Sequence, residues 1–146
     1  MVGACPEAGP LRLSGPFRKP LSGRITSPFG VRRRYGTLFT AYHEGLDFAA
    51  PEGTPVRAVA GGVVVLSERL QVRGEAVVVA HGAGLCTGYW HLAARRVRVG
   101  EEVAAGQVLG LLGSAGLSTG PHLHLEVRLF GVPVDPAPFF AGLPLP

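Results

Sequence analysis

A chain of 146 residues, 47% hydrophobic and 16% charged, is sized for one packed domain, and its apolar content excludes a disordered segment. Its 22 glycines and 13 prolines call for frequent turns between short apolar runs, the pattern of an all-β domain. The formal net charge of +4 rests on arginine, with Lys19 the only lysine. Such a surface suits an acidic polymer, but no nucleic-acid-binding motif accompanies Arg32-Arg33-Arg34 or Arg95-Arg96, and nucleic acid is not an expected partner.

Residues 1–22 read as an extended linker, because Pro6, Gly9, Pro10, Gly15, Pro16 and Pro20 interrupt any regular element. Val2-Gly3-Ala4-Cys5 resembles the cleavage box of a bacterial lipoprotein, yet no apolar segment precedes it. Cys5 and Cys86 lack metal-pair spacing, and no disulfide framework is expected of them. No stretch is long and apolar enough to span a membrane, and no signal peptide is visible.

From residue 23 to 136 the chain reads as the domain proper, with 137–146 as a tail. Strands are expected at 62–66, 75–81, 85–92, 107–112 and 122–130, where runs such as Val63-Val64-Val65 and Val77-Val78-Val79 are β-branched and too short for stable helices. One short helical turn is expected around Phe139 and Phe140, after Asp135-Pro136-Ala137-Pro138. The segment from Val97 to Gly110 resembles half of a biotinyl or lipoyl carrier domain. Without a lysine beyond Lys19 the carrier function is chemically unavailable, but a small antiparallel β-sandwich or flattened barrel with long groove-forming loops remains the expected architecture.

Four of the five histidines fall in three motifs: His43-Glu44-Gly45-Leu46-Asp47, Tyr89-Trp90-His91-Leu92 and Gly120-Pro121-His122-Leu123-His124. The first is not the helical H-E-x-x-H zinc motif, since Gly45 would cost about 1 kcal/mol within a helix and Pro51 and Gly53 follow closely. In an extended segment His43, Gly45 and Asp47 point the same way, and the glycine leaves room between two ligands. In the third motif, Leu123, Leu125 and Val127 alternate with His122, His124 and Glu126, the signature of a half-buried strand. Spacing alone allows His122 and His124 both to ligate one ion, or one to ligate while the other faces a substrate. Strand parity puts His91 on one face with Tyr89 and sends Cys86 and Trp90 to the other. His81, closing a valine run before Gly82, reads as a turn-stabilising residue and not as a ligand.

Taken in order and at these separations, H-x-x-x-D, Y-x-H-L and G-P-H-L-H resemble the lysostaphin/LytM-type zinc metallopeptidases, which cut peptidoglycan cross-bridges. Ser27-Pro28-Phe29-Gly30, Gly53-Thr54-Pro55-Val56, Ala80-His81-Gly82 and Gly113-Ser114-Ala115-Gly116 extend the likeness over roughly residues 23–136. The resemblance implies one Zn²⁺ held by His43, Asp47 and His124, with His91 and His122 as the catalytic pair. One of that pair would move the proton and the other stabilise the oxyanion. It implies peptidoglycan peptides as substrate, bound in a groove with Arg33, Arg34, Tyr89, Ser118 and Thr119 as candidate walls. It also implies an extracytoplasmic setting, with the export signal absent from this chain; a monomer is expected. The alternative is an inactive module of the same family that binds cell wall or activates another hydrolase.

Overall fold

The computed structural model describes residues 5–7, 9–35, 39–70, 74–113 and 120–141. Among these there is no α-helix. In chain order the strands are β1 (Arg24–Ser27), β2 (Arg32–Tyr35), β3 (Phe39–Tyr42), β4 (Leu46–Ala49), β5 (Pro55–Arg57), β6 (Gly62–Leu70), β7 (Gly74–Gly82), β8 (Leu85–Arg95), β9 (Glu102–Val103), β10 (Val108–Leu112), β11 (His122–Leu129) and β12 (Val132–Val134). A single 3₁₀ turn, Ala137–Phe139, follows, where the sequence predicts a helical turn. No helix among the described residues is long and apolar enough to cross a membrane.

All pairings between these strands are antiparallel, and one isolated parallel bridge joins Phe17 to Phe140. The main sheet follows the order β1-β4-β11-β8-β7-β6-β9 without closing into a barrel; β10 pairs with β5 and β8, and β12 flanks β11. β2 and β3 form a separate hairpin. The valine runs seen in the sequence become β6 and β7, paired from Val63 opposite Ala80 to Leu70 opposite Gly74 with one register shift between Val64 and Leu66. A two-residue turn at Ala83 and Gly84, both with positive φ, carries β7 into β8.

Alternation gives this sheet two different faces. The inner face buries Leu46 and Phe48 of β4, Leu123, Leu125 and Val127 of β11, and Leu85, Tyr89 and Leu92 of β8 in the main core. Each such large side chain, once buried, contributes about 1.5–3 kcal/mol. The outer face carries a smaller apolar cluster of Leu66, Ala76, Val78, Ala80, Cys86 and Trp90. Both faces therefore need cover, and the segment before β1 supplies part of it.

The prolines keep that segment out of regular structure, as the sequence predicts, but they do not keep it off the domain. Phe17 and Leu21 are buried in the main core. Phe17 stacks on Phe139 at 4.8 Å and meets Phe140 edge-on at 5.5 Å, while its N–H donates to the Phe139 carbonyl at 2.8 Å. Arg12 N–H donates to His81 O and Arg18 N–H to Val59 O. At the far end Cys5 forms a disulfide with Cys86, 81 residues away, against the expectation that the two cysteines would not pair. Their separation in sequence hides a contact that exists only because the lead-in folds back over the outer face.

His81 is the hinge of a buried polar chain, not a ligand. Its Nδ1–H donates to Gly61 O at 2.8 Å, and its Nε2 meets Thr87 Oγ1 at 2.8 Å. Thr87 Oγ1 in turn meets the Tyr89 hydroxyl at 2.9 Å, which accepts the Val59 N–H at 3.0 Å. Burial, only partly offset by the Gly61 hydrogen bond, holds the imidazole pKa below its ordinary 6.5.

Two outcomes follow from these contacts. Opening the Cys5–Cys86 bridge, by reduction or by Cys86→Ser, lowers unfolding free energy by about 2–5 kcal/mol, because the closed loop is long. Denaturant titration with and without reductant checks this, and coincident curves contradict it. The second concerns pH. The unfolded chain takes up a proton at His81 below pH 6.5 that the folded chain resists, so His81 contributes stability above that pH and loses it as pH falls. The slope of stability against pH below 6.5 is therefore shallower in His81→Gln than in the wild type.

Candidate metal centre

Antiparallel register puts Asp47 of β4 directly opposite His124 of β11. His43 comes from the turn before β4, pinned on both sides: its N–H donates to Val31 O at 2.9 Å and its carbonyl accepts the Gly30 N–H at 2.8 Å. Three donor atoms meet as a result. His43 Nε2 lies 3.0 Å from Asp47 Oδ1 and 3.2 Å from His124 Nδ1, and His124 Nδ1 lies 2.8 Å from Asp47 Oδ1. His43 and Asp47 are buried, and His124 retains only slight exposure. Gly45 stands beside them for a steric reason: a Cβ there would come within 2.7 Å of His124 Cε1 and 2.8 Å of Nε2. The sequence suggested room for an ion at Gly45; the space is taken by the His124 ring.

Hydrogen bonds on the far side of each ring fix its tautomer. His43 Nδ1–H donates to Pro28 O at 2.9 Å, which turns the Nε2 lone pair toward Asp47. His124 Nε2–H donates to Glu126 Oε1 at 3.1 Å, which turns the Nδ1 lone pair to the same point. Two lone pairs and a carboxylate oxygen thus crowd within about 3 Å of one another, an arrangement that repels itself unless a cation or shared protons fill it. Burial works to raise the Asp47 pKa, but hydrogen bonds and charge from His124 and His43 outweigh it and hold the carboxyl far below the usual range. Burial likewise opposes the charged form of His124, and Asp47 and Glu126 overcome it, raising that imidazole's pKa. Donors around a tetrahedral zinc ion stand about 3.3 Å apart, from bond lengths near 2.0–2.2 Å. The edges of this triangle, 2.8, 3.0 and 3.2 Å, are somewhat shorter than that spacing, and a small outward movement of the donors makes the residues fit a divalent metal.

The second histidine pair lines the open side. The His91 and His122 rings lie 4.9 Å apart, both half-buried, and His91 is 6.4 Å from the His124 ring. His122 shares the outer face of β11 with His124, and its Nδ1–H donates to Gly120 O at 2.9 Å, making Nε2 its basic nitrogen. His91 reaches the same place by breaking the alternation of β8. Regular parity would put it on the face of Tyr89, as the sequence predicts, and that face proves to be the core. Instead His91 has φ +72°, and between Tyr89 and Leu92 the register with β7 shifts. This left-handed residue turns the imidazole to the outer face and returns Leu92 to the core.

Tyr89 consequently lies on the wrong face for a groove: it is buried in the core, its hydroxyl pKa pushed up to about 12 by burial. Arg33 and Arg34 sit on β2, opposite Ala41 and Thr40 in the hairpin that leads into His43. Ser118 and Thr119 lie outside the described residues. One participant had no role in the sequence reading: Glu126, fully buried, at i+2 from His124. The signal available was H-x-H-x-E on an alternating strand, which places a carboxylate beside the second imidazole.

Comparison with known proteins agrees with this geometry. The family model described as Peptidase family M23 matches residues 41–136. DD-carboxypeptidase/endopeptidase Mpg of Neisseria meningitidis serogroup B is 46% identical over 123 residues, which are 84% of this chain and 28% of that protein. The chain therefore spans little more than a quarter of that curated relative's length. Among solved structures, a zinc-containing peptidase from Vibrio cholerae superposes with TM-score 0.77 at 35% identity, covering 92% of this chain and 41% of that one. The catalytic domain of lysostaphin from Staphylococcus simulans superposes with TM-score 0.73 at 31% identity, covering 80% of this chain and 91% of that one. By extent of match and by arrangement of its histidines, this chain belongs to peptidase family M23.

Proposed function

We propose that this domain is a zinc-dependent endopeptidase hydrolysing cross-links or stem peptides of bacterial peptidoglycan, and that it works outside the cytoplasm. The observation that carries the reading is the convergence of His43, Asp47 and His124 on one point, with a second imidazole pair on its open side. A relative named as a peptidoglycan DD-endopeptidase, ShyA of Vibrio cholerae, is 44% identical over 113 residues and supports the substrate class. The Cys5–Cys86 bridge supports an oxidising compartment. One chain carries the whole residue set, so a monomer suffices.

Zinc bound by His43 Nε2, Asp47 Oδ1 and His124 Nδ1 would supply Lewis acidity, bringing a water's pKa to about 7 and polarising the scissile carbonyl. The chain's own groups do the rest. Asp47 offsets part of the cationic charge, while the Pro28 and Glu126 hydrogen bonds keep both ligand rings in the required tautomer. His91 and His122 divide two tasks between them: one imidazole accepts a proton from the attacking water and returns it to the leaving amine, and the other donates to the oxyanion. Arg33 and Arg34, on the hairpin before His43, are proposed to meet the carboxylates of the stem peptides, and Ser118 and Thr119 to form the opposite wall. An inactive module would be expected to lack a ligand, and this chain has all five positions filled.

Metal analysis combined with cleavage of defined muropeptides tests the assignment. His43→Ala and Asp47→Ala lose both zinc and activity. His91→Ala and His122→Ala keep zinc and lose about 100-fold or more in rate, the scale of an acid–base group. Full zinc content in His43→Ala would falsify the ligand set. Gly45→Ala, by pressing on the Leu125 carbonyl and the His124 ring, lowers zinc content without touching any donor atom.

A further inference from the structure

On the outer face of β11, His122, His124, Glu126 and Arg128 follow one another at every second position, and Arg128 has no part in the chemistry above. Glu126 is fully buried, and each of its oxygens accepts from a side chain of the same strand. Oε1 accepts from His124 Nε2–H at 3.1 Å, and Oε2 accepts from Arg128 Nε–H at 3.3 Å. Arg128 in turn donates through one terminal nitrogen to Gly131 O at 3.0 Å and through the other to Glu44 Oε2 at 3.3 Å. Glu44 is the residue next to His43. The contacts thus close a ring: from His43 along the chain to Glu44, across to Arg128, back to Glu126, and through the His124 imidazole to the donor triangle.

We propose that Glu126, clamped by Arg128, is the positioning residue that presets His124 for the metal. The argument rests on three physical points and on the metal assignment proposed above. An imidazole can offer either nitrogen to an ion, and a carboxylate accepting from Nε2–H commits the ring to Nδ1. Gly45 is what admits the ring in this orientation, since a Cβ there would come within 2.8 Å of Nε2. A buried carboxylate needs a charged partner, and Arg128 provides it while tying β11 to the turn that carries His43. Because Arg128 reaches the metal point only through Glu126 or Glu44, its effect on affinity passes through those carboxylates.

The test measures zinc affinity by competition with a chromophoric chelator, using Zn²⁺ alone as the probe and circular dichroism of the metal-free chain to verify folding. Glu126→Gln keeps the fold and binds zinc about 10–100-fold more weakly. Arg128→Gln weakens binding in the same direction, and its effect shrinks in the Glu126→Gln background, as expected of groups acting in series. Histidine ¹⁵N NMR of the zinc-loaded wild type shows His124 bound through Nδ1 with Nε2 protonated; this spectrum needs no variant and decides the point even if Glu126→Gln does not fold. Ligation through Nε2, or a folded Glu126→Gln with wild-type affinity, overturns the proposal and leaves the metal assignment standing. Failure of the wild-type chain to bind zinc overturns both.

Discussion

Asp47 and His124 meet because β4 and β11 pair in one particular register, and every feature of the site depends on that pairing. A slip of one residue would exchange the faces of β11, driving His122, His124 and Glu126 into the main core and Leu123 and Leu125 into solvent. The apolar half of the strand therefore fixes the polar half. Leu123, Leu125 and Val127 are fully buried, and the energy of placing them there is what holds the His124 imidazole at hydrogen-bond distance from Asp47. Metal-site geometry in this fold is an outcome of hydrophobic alternation, enforced on both sides by β4 and β8.

Where alternation would have failed the site, the backbone departs from it. His91 is on β8, whose parity up to Tyr89 serves the core, and a regular continuation would bury the imidazole. A left-handed residue outside glycine costs on the order of 1–3 kcal/mol, and the surrounding sheet holds it in place. The neighbours on either side, Trp90 in the outer cluster and Leu92 in the inner core, leave the chain no alternative path. Local strain and a rigid scaffold together bring His91 beside His122.

Much of this was readable from the residues. The β-branched runs announced β6 and β7, and the alternation around His122 announced β11 and its two faces. The three histidine motifs, by their order, brought the likeness to zinc peptidases. What stayed hidden follows a common physical logic: it depends on contacts between distant segments. Short strands such as β1, β5 and β9 have too few residues for a period to register and exist because a neighbour pairs with them. Phe17 looked like part of a linker because its partners, Phe139 and Phe140, lie at the other end of the chain. The Cys5–Cys86 bond and the inward turn of Tyr89 were invisible for the same reason. Glu126 was on the correct face in the sequence reading, but its role required knowing that His124 turns Nε2 toward it.

The site draws on residues far apart in the chain, with His43 and His124 separated by 81 positions. β11 enters the sheet between β4 and β8, both made earlier, and contributes His122 and His124 together. During synthesis, then, an incomplete chain possesses neither a full donor set nor the second imidazole pair. Any product truncated ahead of β11 lacks both of these imidazoles, and the donor triangle is completed in a single step when the late strand slots between its two older neighbours.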